Sequence, residues 1–474
     1  FAWPARLVPG AGDAVPNVIA NYVDEDPAFP NQVRDWYCGA RSYDLASGYN
    51  HGGVDISSFP FAWVKLDHDE MIVVAAADGT IVRKDDGAYD RNCGPLGSLP
   101  VTTPVNAIYV RHADGSIAWY LHMKSGSLTP KGVGEAVAAG ERLGSVGSSG
   151  FSSGPHVHFE VHDAAGGLID PYAGACNVHN ADSWWPQQPA YWQPAIVRAS
   201  IHSAPPQFSN CTVPDAPRQT GFASAGTTIY PTVFLRDFLA GASVPVRVIA
   251  PDGSTFFAAT IDGPPQNYVA SYWYYALALP LSAPAGAWRF EADLDGATTR
   301  TTFHVVPSPP PIATAVEYYH AGIDHYFVTA DADEIAGLDA GAFGGVWHRT
   351  GQTFGVYSAA AEGLAPVCRF YSTNFAPRNS HFYTADPVEC EGVKHNPDWA
   401  YEKIAFHVPL PDAAGVCPTG TSPVYRMFNG GQGGAPNHRF TTSYATRLAF
   451  APGQGWIAEG VPATAVGMCA PIAQ

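Results

Sequence analysis

Gly154-Pro155-His156-Val157-His158-Phe159-Glu160-Val161 stands directly behind a Gly/Ser-rich loop and alternates apolar with polar side chains. Strict alternation is the mark of a half-buried strand, because successive side chains of an extended chain point to opposite faces. Val157, Phe159 and Val161 therefore share one face. His156, His158 and Glu160 share the other, with the two imidazoles about 7 Å apart along the strand. In that arrangement one histidine can bind a metal while the other reaches that metal's water.

A second cluster lies upstream, in His51-Gly52-Gly53-Val54-Asp55. The glycines favour extended or tight backbone over helix, and in an extended chain residues i and i+4 again share a side. Two histidines and an aspartate form a three-ligand set suited to zinc, with a fourth position open for water, which is the pattern of catalytic rather than structural sites. His122 closes another apolar strand-like run, Ala118-Trp119-Tyr120-Leu121-His122.

Taken together, the residues resemble the zinc endopeptidases of the lysostaphin and LytM type, the M23 peptidases. The resemblance rests on His-x-x-x-Asp at 51–55, Tyr-x-His at 120–122, Gly-Glu-x-x-Gly at 140–144, the run from Gly147 to Glu160, and Asp170-Pro171. It covers residues 30–175. It implies that His51, Asp55 and His158 bind Zn2+ and that His122 and His156 are the catalytic histidines. In that family the loops around the groove choose the substrate, so the long loop from Asp86 to Val105, which carries Cys93, bears on specificity.

With 474 residues the chain calls for two to four domains. Its 48 Gly, 42 Pro and 14% charged residues suit strands and turns, so the expected fold class is mainly β and multidomain. A net charge of −17 argues against nucleic acid as a partner and against bulk attraction to an anionic surface. No apolar run reaches the length of a membrane span. The first residues do not read as a signal peptide, which points to a mature or trimmed form.

The eight cysteines include no Cys-x-x-Cys pair and suggest disulfides formed in an oxidising compartment, hence a secreted, extracellular or periplasmic protein. Sequence order suggests 38 with 93, 176 with 211, 368 with 390 and 417 with 469, among 105 pairings that eight cysteines allow.

Along the chain, residues 1–29 carry no clear period and read as a strap over the next domain or a propeptide remnant. Residues 30–194 hold the peptidase pattern and a linker. Within them, residues 71–82 read as two strands around an Asp-Gly turn, and 107–121 as a hairpin leading to His122. Gly144 to Gly154 reads as a tight connection into the metal-bearing strand. His162 reads as a partly exposed strand-end residue, and His68 with Asp67, Asp69 and Glu70 as a solvated acidic loop, with calcium a minor alternative. Residues 195–306, short strands between turns, read as an immunoglobulin-like sandwich serving as spacer or accessory module.

Pro307 to Pro311 forms a stiff boundary. Beyond it His325, His381 and His438 recur at intervals of 56 and 57, each with aromatic neighbours, so residues 312–474 read as a closed, pseudo-threefold repeat module. It resembles a repeat domain of unassigned function in secreted bacterial proteins. Its histidines read as structural, and its aromatic surface is a candidate for glycan binding.

The function expected is a secreted zinc metalloendopeptidase cutting peptide bonds in bacterial cell-wall peptidoglycan. Its alternatives are an extracellular protease for Gly-rich proteins and an inactive peptidase-like wall-binding protein.

Overall fold

The computed structural model describes residues 1–472 apart from Pro16, Leu96, Pro377, Pro462 and Ala463. It is mainly β and multidomain, with six sheets among the described residues. The largest is antiparallel and contains β1 Val18–Asn21, β2 Gly53–Ser57, β3 Gly79–Asp85, β4 Ala107–Arg111, β5 Ile117–Leu121, β6 Ala136–Val137, β7 His156–His162 and β8 Leu168–Ile169. Their order is β1-β2-β7-β5-β4-β3-β6, with β8 pairing β7. The predicted β4–β5 hairpin is present, Ile108 facing Tyr120.

β7 lies between β2 and β5, and His158 is opposite Asp55 on one side and Leu121 on the other. Its core face, Val157, Phe159 and Val161, is fully buried. Burying three such side chains contributes about 1.5–3 kcal/mol each, which fixes the register. A one-residue slip would put both histidines into the core.

The two strands read in residues 71–82 exist, but they do not form a hairpin. Met71–Val74 belongs to a separate three-stranded sheet with Ala5–Leu7 and Arg142–Ser145. Residues 75–78 let the chain leave one sheet and enter the next, and the backbone of Val74 and Ala75 is taken by Pro4 and Glu141.

Residues 1–15 and 17–21 form a strap over the neighbouring sheets. Ala5–Leu7 and β1 each join a sheet. Between them Asp13 pairs with Lys65 at 2.5 Å and Arg198 at 2.6 Å, while the carbonyls of Pro9 and Gly10 accept from Tyr425 Oη and the Cys417 amide.

Residues 195–306 build a sandwich of a four-stranded and a five-stranded sheet, with Val233, Leu235, Val246, Trp288 and Phe290 in the core between them. The last part of the chain forms a six-stranded and a four-stranded sheet. Three hairpins there are each followed by a short helix, Ala332–Asp339, Pro387–Lys394 and Tyr444–Phe450, N-capped by Asp331, Asp386 and Ser443. Arg369 pairs with Glu334 of the preceding unit, Arg426 with Glu389, and Arg439 with Glu317, so the ion pairs run round the three units. Strand pairing sets Tyr326, His381 and His438 opposite Tyr319, Tyr371 and Phe428. His325 is therefore one residue off the position of the other two, and the interval of 56 does not mark equivalent sites.

Two expected disulfides are wrong. The pairs are Cys38–Cys176, Cys93–Cys211, Cys368–Cys390 and Cys417–Cys469. Trp36 stacks on Tyr172, and the Cys176 amide donates to the Trp36 carbonyl, which brings Cys176 beside Cys38. Cys93 instead reaches across to the sandwich. The acidic stretch at 67–70 also differs from its reading as a solvated loop. Asp69 and Glu70 are buried, Asp69 pairing with Lys124 and accepting from Ser443, and Glu70 accepting from Ser422.

Candidate metal centre and peptidase site

His51, Asp55 and His158 converge at the β2–β7 pairing. His51 Nε2 lies 3.0 Å from His158 Nδ1 and 3.1 Å from Asp55 Oδ1, and His158 Nδ1 lies 3.0 Å from the same oxygen. The outer nitrogens fix the tautomers. His51 Nδ1 donates to the Tyr22 carbonyl at 2.7 Å, which can only accept, and His158 Nε2 donates to Glu160 Oε2 at 2.9 Å. In the neutral rings the inward nitrogens carry the lone pairs, and with the carboxylate they form a triangle of three potential ligand atoms, from which a binding metal must displace the proton on His158. Ligands of a tetrahedral zinc with bonds near 2.0–2.1 Å stand about 3.3 Å apart, so the donor set and its size fit Zn2+.

Two glycines permit this closeness. A Cβ on Gly53 would stand 2.6 Å from His158 Nε2, and one on Gly52 3.2 Å from the Glu160 carboxylate. The His-Gly-Gly-Val-Asp motif is thus a packing requirement as well as a ligand spacing.

Burial alone would raise the Asp55 pKa, but His51 and His156, and the hydrogen bonds of His156 and His158, hold it well below the usual carboxylate range. Burial would lower His158, but its bonds to Asp55 and Glu160 outweigh this and push it up to about 10. The same acceptors that suit a cation also hold a proton strongly. Glu160, despite burial, is lowered to about 2 by His158 and His162.

His122 and His156 stand beside this triangle, ring centroids 4.6 Å apart. His122 Nδ1 donates to the Ser149 carbonyl and His156 Nδ1 to the Gly154 carbonyl, both at 2.7 Å, leaving each Nε2 as an acceptor. His156 Nε2 is 3.4 Å from Asp55 Oδ1. His122 takes a left-handed backbone, φ 63°, at the end of β5. Burial, then His156 and His158, hold its pKa well below the ordinary imidazole value. Both carbonyl partners come from the Gly/Ser loop, whose role is to set the two tautomers.

All five residues singled out in the sequence are brought together. Three supports were not foreseen. Glu160 bridges His158 to His162, whose Nε2 is 2.6 Å from Glu160 Oε1 and whose ring stacks on Trp119, so His162 is more than a strand-end residue. Tyr43 stacks on His51 with centroids 4.5 Å apart, and the Tyr22 carbonyl orients that same ring. The i+2 spacing of His158, Glu160 and His162 carried the first signal. The tyrosines left none.

Residues 50–171 match the profile of Peptidase family M23. This region is an M23 peptidase domain. Residues 314–409 match a domain of unknown function, DUF5648. The cell division protein DipM of Caulobacter vibrioides is 35% identical over 111 residues, which are 23% of this chain and 17% of that protein's length. Among solved structures, the catalytic domain of the antimicrobial peptidase lysostaphin from Staphylococcus simulans is 26% identical, with 27% of this chain and 83% of that one covered and a TM-score of 0.20. The catalytic domain of the prophage-encoded M23 protein EnpA from Enterococcus faecalis is 24% identical, with 33% and 89% covered and a TM-score of 0.20. The M23 domain thus occupies about a quarter of the chain, and its five site residues all fall within the matched region.

Proposed function

We propose that the protein is a secreted zinc metalloendopeptidase that cuts peptide bonds of bacterial peptidoglycan, with His51, Asp55 and His158 as metal ligands and His122 and His156 as catalytic residues. The observation that carries this reading is the triangle of His51, Asp55 and His158 flanked by two histidines whose Nδ1 atoms are each tied to a backbone carbonyl, so that their Nε2 atoms face the site. Zinc held there supplies Lewis acidity to a carbonyl and acidity to water. His122, kept neutral by burial, accepts a proton at Nε2 while Ser149 holds its Nδ1–H in place. His156, tied to Gly154, orients its own Nε2 beside Asp55. The two histidines divide proton acceptance and stabilisation of the developing oxyanion between them.

Four disulfides support an oxidising, extracytoplasmic location. No helix among the described residues is long and apolar enough to cross a membrane. The C-terminal module supplies attachment to a glycan polymer. A cavity of about 430 Å³ between its first two units is lined by Trp347, Phe343, Tyr371, Arg369 and Glu402, and Phe343 is 79% exposed on a left-handed backbone. Exposed aromatics beside polar groups suit sugar rings.

Incubating the zinc-loaded protein with purified walls of several bacterial types, and identifying new amino termini by mass spectrometry, tests the activity. Absence of new termini from every wall type, with zinc bound, refutes it. Trp347→Ala should reduce sedimentation with walls while leaving hydrolysis of a small peptide unchanged.

A further inference from the structure

The cleft beside the catalytic histidines is not built by the M23 domain alone. A cavity of about 340 Å³ touches Asp55 and His156, runs past Val18 of β1 and Trp63 of the short helix Ala62–Asp67, and is closed on its far side by Phe208 and Val269 of the sandwich. We propose that this junction cavity is a substrate subsite for an uncharged, apolar residue adjoining the scissile bond, and that Phe208 and Val269 set the preference. The proposal rests on the peptidase reading and makes the sandwich, read from sequence as a spacer, part of the substrate-binding surface.

Position supports this first. His156 and Asp55 are a proposed catalytic residue and metal ligand, so a group filling the cavity lies next to the bond being cut. Chemistry supports it second. Among the described residues no Lys or Arg lines the cavity, and the carboxylate of Asp215 is already used, Oδ1 accepting from the Ser209 amide at 2.7 Å and Oδ2 from the Trp63 amide at 2.9 Å. An acidic side chain would find no Lys or Arg partner in the lining beside Phe208, Val269 and Trp63, whereas an apolar one gains their contact area.

Rigidity supports it third. Phe208 stacks on Phe61, centroids 4.9 Å apart and 9° from parallel, and packs on Tyr272 at 4.8 Å. The segment carrying it is closed by the Gln207–Ala216 bridge and tied to the M23 domain through Cys93–Cys211. This wall is in place before a substrate arrives, so little ordering is lost on binding. The loop from Asp86 to Val105 acts on specificity by anchoring that wall through its cysteine.

The test uses the full zinc-loaded chain and a peptide library varied at each position around the cut, with cleavage sites and rates read by mass spectrometry. The native protein should favour Leu or Val over Glu at one position flanking the cut. Phe208→Ala should lower kcat/KM roughly 10-fold for peptides with Leu there, within the range for removing apolar contact from a pocket, and less than about 2-fold for peptides with Gly. Val269→Lys should shift that position toward Glu. An unchanged profile in Val269→Lys, or equal losses on Leu and Gly peptides in Phe208→Ala, overturns the subsite. Should the native protein bind zinc but cut nothing, the peptidase reading fails. Calorimetric titration with the Leu and Glu peptides then decides the subsite separately, and equal affinity for both overturns it.

Discussion

Glu160 offers a sharp test of how the site is held together. Its Oε2 accepts from His158 Nε2 at 2.9 Å and its Oε1 bonds His162 at 2.6 Å, both on the face of β7 opposite Val157, Phe159 and Val161. Glu160→Leu fills the same space but removes the partner that fixes which nitrogen of His158 faces inward. Carboxylate partners of this kind are worth roughly 10–100-fold in metal affinity, about 1.4–2.7 kcal/mol. His162→Ala leaves the bond to His158 intact, so its effect should be much smaller, below about 3-fold. Zinc affinities measured by competition with a chromophoric chelator at pH 7.5 separate the two. Native affinity in Glu160→Leu, or an equal loss in both variants, would refute the idea that Glu160 acts by orienting His158.

His158→Ala should lose zinc, whereas His122→Ala and His156→Ala should retain it and lose turnover; metal analysis beside a peptide assay checks the division of roles, and equal zinc loss in all three refutes it. Burial lowers the pKa of His202 to about 4 and of His381 to about 3. The unfolded chain takes up these protons below about pH 6.5 and the folded chain does not, so each histidine costs stability at about 1.4 kcal/mol per pH unit as pH falls from 6.5 toward 4. Melting temperatures at pH 7, 6 and 5 should fall less steeply in His202→Gln and His381→Gln than in the native chain, and identical slopes contradict the assignment. Replacing Cys93 and Cys211 by Ser should cost about 2–5 kcal/mol in denaturant unfolding, since the bridge spans 118 residues.

The sequence was most legible where chemistry and local geometry coincide. His156 and His158 are two residues apart on a strand, and His51 and Asp55 are four apart where another strand begins, so each pair could be placed on a side without the fold. Cys368–Cys390 and Cys417–Cys469 were legible for the same reason, each lying within one compact region. What failed was long-range. Cys38 and Cys93 flank strands that pair elsewhere, and neither the stacking of Trp36 on Tyr172 nor the reach of Cys93 to Cys211 has a local signature. The acidic run at 67–70 read as solvated because nothing nearby in sequence covers it. Two of its partners, Ser422 and Ser443, lie 352 and 374 residues away, and the third, Lys124, lies 55 away.

The strap has a consequence for how the chain becomes a folded body. The Tyr425 hydroxyl and the Pro9 carbonyl are 416 residues apart, and Val8, Ile72 and Val74 share an apolar cluster with Tyr425, Tyr444 and Val466. During synthesis Val8 and Pro9 must therefore wait for residues 425–466 to emerge before these partners exist. Such distant closures slow folding, yet once made they bind the melting of one region to that of the others. Asp13, held between Lys65 and Arg198, extends the linkage to the sandwich. Calorimetry should accordingly record a single cooperative endotherm rather than three separate ones. Cutting away residues 307–474 would strip the apolar cover from the small sheet, so a loss of activity on that deletion would report instability rather than lost attachment.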